Sequence, residues 1–347
     1  MDKHYINRIL TGLSVVLIAV ILAGCNPTHK KHRRPPLLPS ASGNPYEVMV
    51  VTEDSLWETM VGESIREILD APVVGLPQYE PSFHTSHITE SHYDRITNLF
   101  RNILIVKIND HLTQPKTSTE HNVHSYPQYI VTIQGPDPES LALYISQNAD
   151  IIYRSIYADE INRMAMNLED SFNYKFNKKA EELFGCNLLI PQDVIKMKEG
   201  KDFIWASNDG LETIQNICMY SVPTAGIELL TKEKFAAIRD SVMKINIPGD
   251  APDRWMSTNA STLVTQDLNI LGVYAMEVRG LWEMTNYPMG GPFIAHCSLD
   301  SINDRLVIVE GFVYAPSKMK RTMMRRLEAA LYTLKLPSAI EKENEEQ

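Results

Sequence analysis

The sequence has few cysteines and none of the short motifs that mark common enzyme chemistries. Its four cysteines are Cys25, Cys186, Cys218 and Cys297, with no C-x-x-C pair. This argues against a disulfide scaffold or a dithiol oxidoreductase, and the last three are expected to be buried free thiols. The sequence also lacks H-E-x-x-H, G-x-S-x-G, a glycine-rich phosphate loop and G-x-G-x-x-G. No cofactor is therefore expected.

The chain is acidic, with a formal net charge of −10, and this argues against binding to nucleic acid. A short basic segment, residues 26–43 (NPTHKKHRRPPLLPSASG), is rich in proline and has no apolar periodicity. It is typical of an extended tether. Its lysines and arginines either contact an anionic lipid surface or belong to a merely soluble spacer.

The N-terminus has the layout of a secretory signal: charged residues, an apolar run over 13–22, and then Ala23-Gly24-Cys25. The run is shorter than the roughly 20 residues of a membrane-spanning helix, which disfavours an uncleaved helix. Leu22-Ala23-Gly24-Cys25 resembles the lipobox of bacterial lipoproteins. The resemblance implies that residues 1–24 are removed and that Cys25 carries lipid, which anchors the protein to a membrane.

The residues after Cys25 favour a location in the cell envelope. Surface-exported lipoproteins of Bacteroidota resemble one another in carrying acidic residues there, whereas this tether is basic. By resemblance to the enterobacterial sorting rule, Asn26 does not retain the protein in the inner membrane. We therefore expect the periplasm-facing leaflet of the outer membrane, with the membrane and an envelope protein as partners.

The remaining pattern predicts an α+β fold with mainly antiparallel sheets flanked by helices, in two subdomains. Residues 44–185 form the first subdomain, 186–338 the second, and 339–347 a disordered tail. Strands are predicted at 46–52, 83–89, 103–108, 128–134, 193–198, 202–207, 216–222, 272–284, 292–299 and 305–314. Helices are predicted at 55–70, with a Ser55/Glu58 capping box, and at 138–185, 231–245 and 317–336, with a polar loop at 109–127.

Several stretches carry a family resemblance. They are Asn44-Pro45-Tyr46-Glu47, 99–104 (LFRNIL), 280–283 (GLWE), 289–293 (MGGPF) and 309–316 (VEGFVYAP). Together they resemble a lipoprotein family of Bacteroidota known as a domain of unknown function, number 4837, over most of the chain past residue 43. The resemblance implies a phylum and a location, and it brings no activity or catalytic residue.

Charged residues inside apolar strands are the main candidates for a site. Arg279 and Glu310 interrupt two strands expected in one sheet, where an unpaired buried charge is costly. We expect the two side chains to meet. They either line a binding pocket with Trp282 and a flexible Gly290-Gly291 turn, or form a structural ion pair.

Other patterns carry weaker predictions. His84-x-x-His87 and His121-x-x-His124 are not expected to hold a metal, because residues three apart on a strand point to opposite faces and the second pair lies in a polar loop. On the terminal helix Lys318, Arg321 and Arg325 form either a solvated face or a contact for an anionic partner.

Three Asp-Ser-apolar triplets resemble the acceptor of Bacteroidota protein O-glycosylation. Their serines are Ser55, Ser241 and Ser301. Ser301, in a predicted hairpin turn, is expected to be the most accessible.

These patterns favour a noncatalytic envelope lipoprotein that binds a ligand or a partner. The alternative is a hydrolase that acts on envelope polymers through scattered acidic residues, with Glu283 and Glu310 as the first candidates. A passive scaffold is a third reading. A deep pocket with converging carboxylates would favour an enzyme, and a shallow apolar patch would favour a partner.

Overall fold

The computed structural model of the chain describes residues 38–224, 226–270 and 272–345. The predicted signal peptide, Cys25 and most of the tether lie outside this part. The α+β class is confirmed, since the described residues contain two sheets and eight α-helices. Residues from Ser40 onward belong to one compact unit.

The secondary structure alternates in the first half of the chain and is dominated by long strands in the second. The first elements are β1 (Glu47–Val51), α1 (Asp54–Trp57), α2 (Met60–Leu69), β2 (His84–Ile88), β3 (Asn102–Ile108), β4 (Lys116–His121), β5 (Tyr129–Gly135), α3 (Pro138–Gln147), α4 (Ala149–Asp170) and α5 (Tyr174–Phe184). The later elements are β6 (Lys196–Gly200), β7 (Phe203–Ser207), β8 (Ile214–Pro223), α6 (Lys232–Asn246), β9 (Met256–Ile270), β10 (Val273–Met284), β11 (Tyr287–Asp300), β12 (Arg305–Tyr314), α7 (Arg321–Leu331) and α8 (Pro337–Glu345).

The first sheet is mixed, with the strand order β2-β1-β3-β5-β4. Its first four strands are parallel, and β4 pairs antiparallel with β5. Strands β1, β3 and β5 are mostly buried and almost continuously apolar, as is typical of parallel strands covered on both faces. Helices α2, α3 and α4 share one core with this sheet.

The second sheet is antiparallel throughout, in the order β6-β7-β8-β12-β11-β10-β9. One face packs against α5 and α7 through residues such as Phe184, Val309 and Leu327. The opposite face packs against α6 through Phe235 and Met243. Strands β11 and β12 are therefore buried on both sides.

The predicted helix over 55–70 is two helices. Thr59 interrupts it, and the Thr59 side chain caps α2 by accepting a hydrogen bond from the Val61 amide at 3.3 Å. The predicted capping box is wrong, because Glu53 precedes α1 and no side chain caps that helix. By contrast, Asp137 caps α3 and Gly185 ends α5 with a positive φ, in agreement with the sequence pattern.

Three segments differ from the pattern-based assignment. The predicted polar loop contains β4, strand β9 was missed, and part of the predicted disordered tail forms α8. Strands β4 and β9 are edge strands, so many of their side chains face solvent and their sequences are polar.

The ends of the predicted segments also shift. Ser40 and Ser42, assigned to the tether, pair with Tyr126 and Phe100 and so belong to the fold. Helix α5 packs on the second sheet, so the change of packing partner lies near residues 171–173 rather than at Gly185. In the part of the chain that the structure describes, no helix has the length and apolarity needed to cross a bilayer.

Candidate functional site

A cleft lies between the helices of the first sheet and one face of the second. One side is formed by α2, the segment 71–74 and the start of α4, and the other by β9, β10 and α7. Its volume is about 430 Å³, within the range of about 300–1,000 Å³ that is usual for small-ligand sites. We call it the interlobe cleft.

The walls of the interlobe cleft combine apolar side chains with polar and charged ones. They include the side chains of Ile68, Pro72, Val73, Val74 and Val264. The wall segment passes close to β10 at Gly75, which has φ +85°, and a Cβ there would stand 3.0 Å from Arg279 Cβ. A larger residue at position 75 would push this wall away from the sheet.

The floor of the cleft holds four buried or nearly buried charged groups, Glu277, Arg279, Arg325 and Glu328, which we call the cleft ion cluster. Arg279 Nε donates to Glu277 Oε1 at 2.6 Å, and its Nη2 donates to Glu328. Arg325 Nη1 donates to Glu328 Oε2 at 3.1 Å. Spacing of two on β10 and of three on α7 places each pair on one face of its element.

Tyrosines surround the cluster. The rings of Tyr153 and Tyr157 are stacked with centroids 5.9 Å apart, and the Arg325 guanidinium lies 4.4 Å from the Tyr157 centroid. The Tyr157 hydroxyl donates to Glu328. Burial raises the pKa of Tyr157 well above its usual value, so this hydroxyl stays protonated and acts as a donor.

Both carboxylates of the cluster are ionised at neutral pH. Burial opposes the ionisation of Glu277, but Arg279 and His296 outweigh it and lower the pKa of Glu277 to about 2. Burial likewise opposes the ionisation of Glu328, and the two neighbouring arginines lower its pKa. Neither group holds a proton to donate as a general acid.

The predicted meeting of Arg279 and Glu310 is wrong. Across the sheet, Arg279 stands opposite Ile294, and Ile294 stands opposite Gly311. Glu310 is one residue away from that line, so its side chain projects from the other face. There it forms a fully buried ion pair with Arg239 of α6, with Nη2–Oε1 at 2.8 Å.

The other predicted partners do not line the cleft. Trp282 lies in the core under α6, and its Nε1 donates to the Val313 carbonyl at 3.2 Å. Gly290 and Gly291 belong to β11 rather than to a flexible turn, and a Cβ on Gly291 would stand 2.0 Å from the Val313 oxygen. Glu283 is exposed on the far part of β10.

Arg279 is thus the only one of the six predicted binding residues that lines the described cleft. Its neighbour Glu277, two residues earlier in an apolar strand, carried the same signal and was missed. Arg325 was expected on a solvated helix face or at an anionic partner, but it is 2% exposed beneath the cleft. The i,i+3 pair Arg325–Glu328 could have indicated this role.

The weaker predictions have separate outcomes. Ser55, Ser241 and Ser301 are all exposed, with Ser301 in the β11–β12 turn, and their glycosylation stays a prediction. Cys186, Cys218 and Cys297 are confirmed as buried free thiols. Over the described ranges, no group of three His, Cys, Asp or Glu side chains is arranged to hold a metal ion.

The histidine pairs are placed apart. His84 and His87 project from opposite faces of β2, as expected for residues three apart on a strand. His121 lies on β4, and its Nε2 is 3.0 Å from Asp159 Oδ1. Lys318 is exposed and pairs with Glu212 at 3.2 Å, while Arg321 is partly buried.

Comparison with protein families shows that two domains of unknown function are present. The domain of unknown function DUF8532 matches residues 41–169, and DUF4837 matches residues 173–333. The predicted domain of unknown function 4837 is therefore confirmed for residues 173–333. The first half, including the stretches at 44–47 and 99–104, matches the other domain. The interlobe cleft takes its walls from both.

Other comparisons add little. No curated protein matches the chain. A crystal structure of a protein from Bacteroides thetaiotaomicron is similar over 44% of this chain and 44% of that chain, with 11% identity and a TM-score of 0.24. The match therefore spans less than half of either chain.

Proposed function

We propose that this protein is a lipid-anchored lipoprotein of the bacterial envelope that binds a ligand in the interlobe cleft without transforming it. The observation that carries the proposal is a half-open cleft that combines apolar walls with polar groups and has a charge-paired floor. Apolar walls with a few convergent polar groups are typical of ligand sites.

Two buried polar atoms beside the cleft support binding. Arg325 Nε and His296 Nδ1 have no hydrogen-bond partner among the described residues. A buried donor without a partner costs about 1–3 kcal/mol. A ligand that supplied an acceptor to Arg325 would recover part of that cost.

The charge state of the floor favours binding over hydrolysis. Hydrolysis of a glycosidic bond commonly needs one carboxyl group that stays protonated and a second that is ionised. Carboxylates do converge in the cleft, but the pKa of Glu277 is about 2 and arginines lower that of Glu328. Of the acids predicted for a hydrolase, Glu283 is exposed outside the cleft and Glu310 is paired beneath α6.

A ligand-binding test can use two variants with equal starting exposure. Val264 lines the cleft and Ile302 lies in the β11–β12 turn, and both side chains are 48% exposed. Native mass spectrometry of protein purified from its own host should reveal a bound mass that Val264→Trp loses and Ile302→Trp keeps. Equal occupancy in both variants, or a bound molecule that is chemically converted, would overturn noncatalytic binding in the cleft.

The envelope location is proposed from Leu22-Ala23-Gly24-Cys25 and the basic tether. The expected anchor is lipid on Cys25 in the periplasm-facing leaflet of the outer membrane. Labelling with radioactive palmitate and membrane fractionation should give a labelled, membrane-bound protein. Cys25→Ser should be unlabelled and released, and label retained in Cys25→Ser would contradict the assignment. Crosslinking in the same cells would identify an envelope partner that depends on the anchor.

A further inference from the structure

The edge of the second sheet runs along the cleft. Among the described strands, β9 is the last in that sheet and pairs with β10 alone. Its residues Val264, Thr265 and Gln266 line the cleft. Val264 and Gln266 stand opposite Arg279 and Glu277 of the cleft ion cluster. The edge and the cleft floor are therefore parts of one surface.

This edge is open over residues 264–270. In the described part of the chain, no backbone hydrogen bond joins these residues to any segment other than β10. The start of β9 differs, because Thr258 bonds to Asp240 of α6 at 2.7 Å and the register shifts between Asn259 and Val264. Helix and bulge thus protect one half of the strand and leave the half beside the cleft unpaired.

The opposite edge of the sheet is protected in the usual way. Strand β6 is short and carries Lys196 and Lys198, and lysines on an edge discourage pairing with another chain. Residues 264–270 (VTQDLNI) contain no lysine, arginine or proline. An unprotected edge is a liability in a soluble domain unless another chain pairs with it.

The charge around the cleft indicates the sign of the ligand. The charged groups that line it are three carboxylates and three guanidinium groups, Glu67, Asp150, Glu277, Arg154, Arg279 and Arg325, and Glu328 lies behind them against Arg279 and Arg325. Arg154 pairs with Asp150 at 2.9 Å. Glu67 is exposed and has no ion-pair partner among the described residues, so it is the lining charge left for a cationic group of a ligand.

We propose that the ligand is an extended polypeptide segment of a partner protein, which pairs with residues 264–270 as an added strand and places a lysine or arginine side chain in the cleft. Main-chain hydrogen bonds to the edge supply affinity, and the cleft selects the side chain. The apolar side chains fit the methylene stem and Glu67 attracts the charged head. Because lysine and arginine side chains carry no acceptor, a carbonyl oxygen of the added segment supplies the acceptor for Arg325 Nε. This inference rests on the proposed function, since it names the ligand class of the same cleft.

The probe is a random linear peptide library displayed on phage and selected on the full chain carrying Cys25→Ser. Selected peptides should share a basic residue within a β-prone stretch, and Val264→Trp should abolish their binding while Ile302→Trp retains it. Methylation of the backbone nitrogens, one residue at a time, should weaken binding by about tenfold at every second residue, because alternate amides face the edge. Glu67→Gln should weaken binding by about two- to fivefold.

Two proline variants test the edge itself. Adjacent amides of a strand point to opposite sides, so of Thr265 and Gln266 one amide faces β10 and the other faces outward. Proline at the outward position should leave the thermal midpoint almost unchanged and weaken peptide binding by about tenfold, whereas proline at the inward position should lower the midpoint. The methylation scan uses unaltered protein and remains decisive if both variants misfold.

Failure of strand addition can be distinguished from failure of the proposed ligand-binding function. Peptides that bind without the alternating methylation pattern, or no bound peptide together with a native ligand lost in Val264→Trp, would overturn strand addition and leave the proposed function standing. The absence of both a peptide and a native ligand would overturn both proposals.

Discussion

The two faces of the second sheet each bury an arginine–carboxylate cluster, and the two clusters differ in what covers them. On one face Arg239 contacts Glu310, Thr258 and the ring of Phe293, and both charged side chains are fully buried beneath α6. On the other face the cleft ion cluster lies under an open cleft, and Arg279 remains 12% exposed. The same chemistry is thus sealed on one face and accessible on the other.

The arginine of the covered cluster and the arginine beneath the open cleft also differ in how many of their hydrogen bonds are made. Every donor nitrogen of Arg239 has a partner, as a buried cation without access to water requires. Arg325, by contrast, has one nitrogen, Nε, without a hydrogen-bond partner in the described part of the chain. A buried ion pair alone therefore does not mark a site, and the adjoining cavity is what distinguishes the cleft ion cluster from the sealed pair.

The sealed pair should give the largest effect. Arg239→Met leaves Glu310 buried without its cation, and we expect the free energy of unfolding to fall by about 3–5 kcal/mol. Urea denaturation measures this. The double variant Arg239→Met/Glu310→Leu should recover most of the loss, because no charge then remains buried. Equal losses in the single and double variants would show that the ion pair is not the cause.

The pH dependence of stability should have opposite signs for the carboxylates on the two faces of the sheet. The pKa of Glu277 falls from its usual 4.5 to about 2 on folding. Its ionisation therefore contributes fully to the free energy of unfolding above pH 4.5, and this contribution is lost as the pH falls through 2. At about 1.4 kcal/mol per pH unit, this amounts to about 3 kcal/mol. For Glu310 the effect of burial is larger than the attraction of Arg239, and it raises the pKa of that carboxyl group. The contribution of Glu310 to the free energy of unfolding therefore decreases as the pH rises from 4.5.

A pH series of urea denaturation checks this contrast. Glu277→Gln should flatten the acid loss between pH 4.5 and 2. The double variant without Arg239 and Glu310 should keep that acid loss and should instead flatten the decrease in stability that the wild type shows as the pH rises from 4.5. Parallel pH profiles for wild type and Glu277→Gln would contradict the ionised state of the cleft floor.

A smaller effect is expected at Glu80, which ties the cleft wall to α7. Its carboxylate accepts the backbone N–H groups of Lys320 and Arg321 at 2.6 and 2.7 Å, at the start of that helix. Glu80→Gln should cost about 1–2 kcal/mol of stability. It should also weaken cleft binding. Asp137→Ala removes the cap at the N-terminal end of α3, whereas α3 lines the cleft through Ser146 near its other end. This variant should lose similar stability and keep the binding.

Hydrogen exchange of residues 71–76 tests whether Glu80→Gln weakens cleft binding by loosening this wall segment. Glu80→Gln should speed exchange in this wall segment and leave α6 unchanged, since α6 covers the sealed face. Faster exchange throughout the protein would mean that Glu80 stabilises the whole fold and does not hold the wall specifically.

The sequence pattern was sufficient for the fold class and for the strands that are buried. The apolar runs of β3, β5, β11 and β12 and the turn and capping residues Asp137 and Gly185 carried that information locally. Edge strands β4 and β9 were missed because their exposed faces are polar. Pattern alone does not reveal that a polar stretch continues a sheet.

The site was less accessible to sequence reasoning because it depends on register. Arg279 and Glu310 both looked costly to bury, and both are buried with partners. Whether two charges on neighbouring strands meet depends on a one-residue difference in alignment. One partner of Arg279, Glu277, lies two residues away on the same strand. The other partners, Arg239 and Glu328, lie on helices far along the chain, where no local spacing links them to the strands.

The three buried thiols can report separately on the local unfolding of the two cores of the second sheet. Cys186 lies in the core shared with α5 and α7, and Cys218 and Cys297 lie in the core under α6. Burial raises the pKa of Cys186 to about 12 and also raises those of Cys218 and Cys297. As thiolates are the reactive form, the folded protein should resist air oxidation and alkylating agents. The rate of alkylation at Cys186 would then report how fast one side of the sheet opens, and the rates at Cys218 and Cys297 would report the other side.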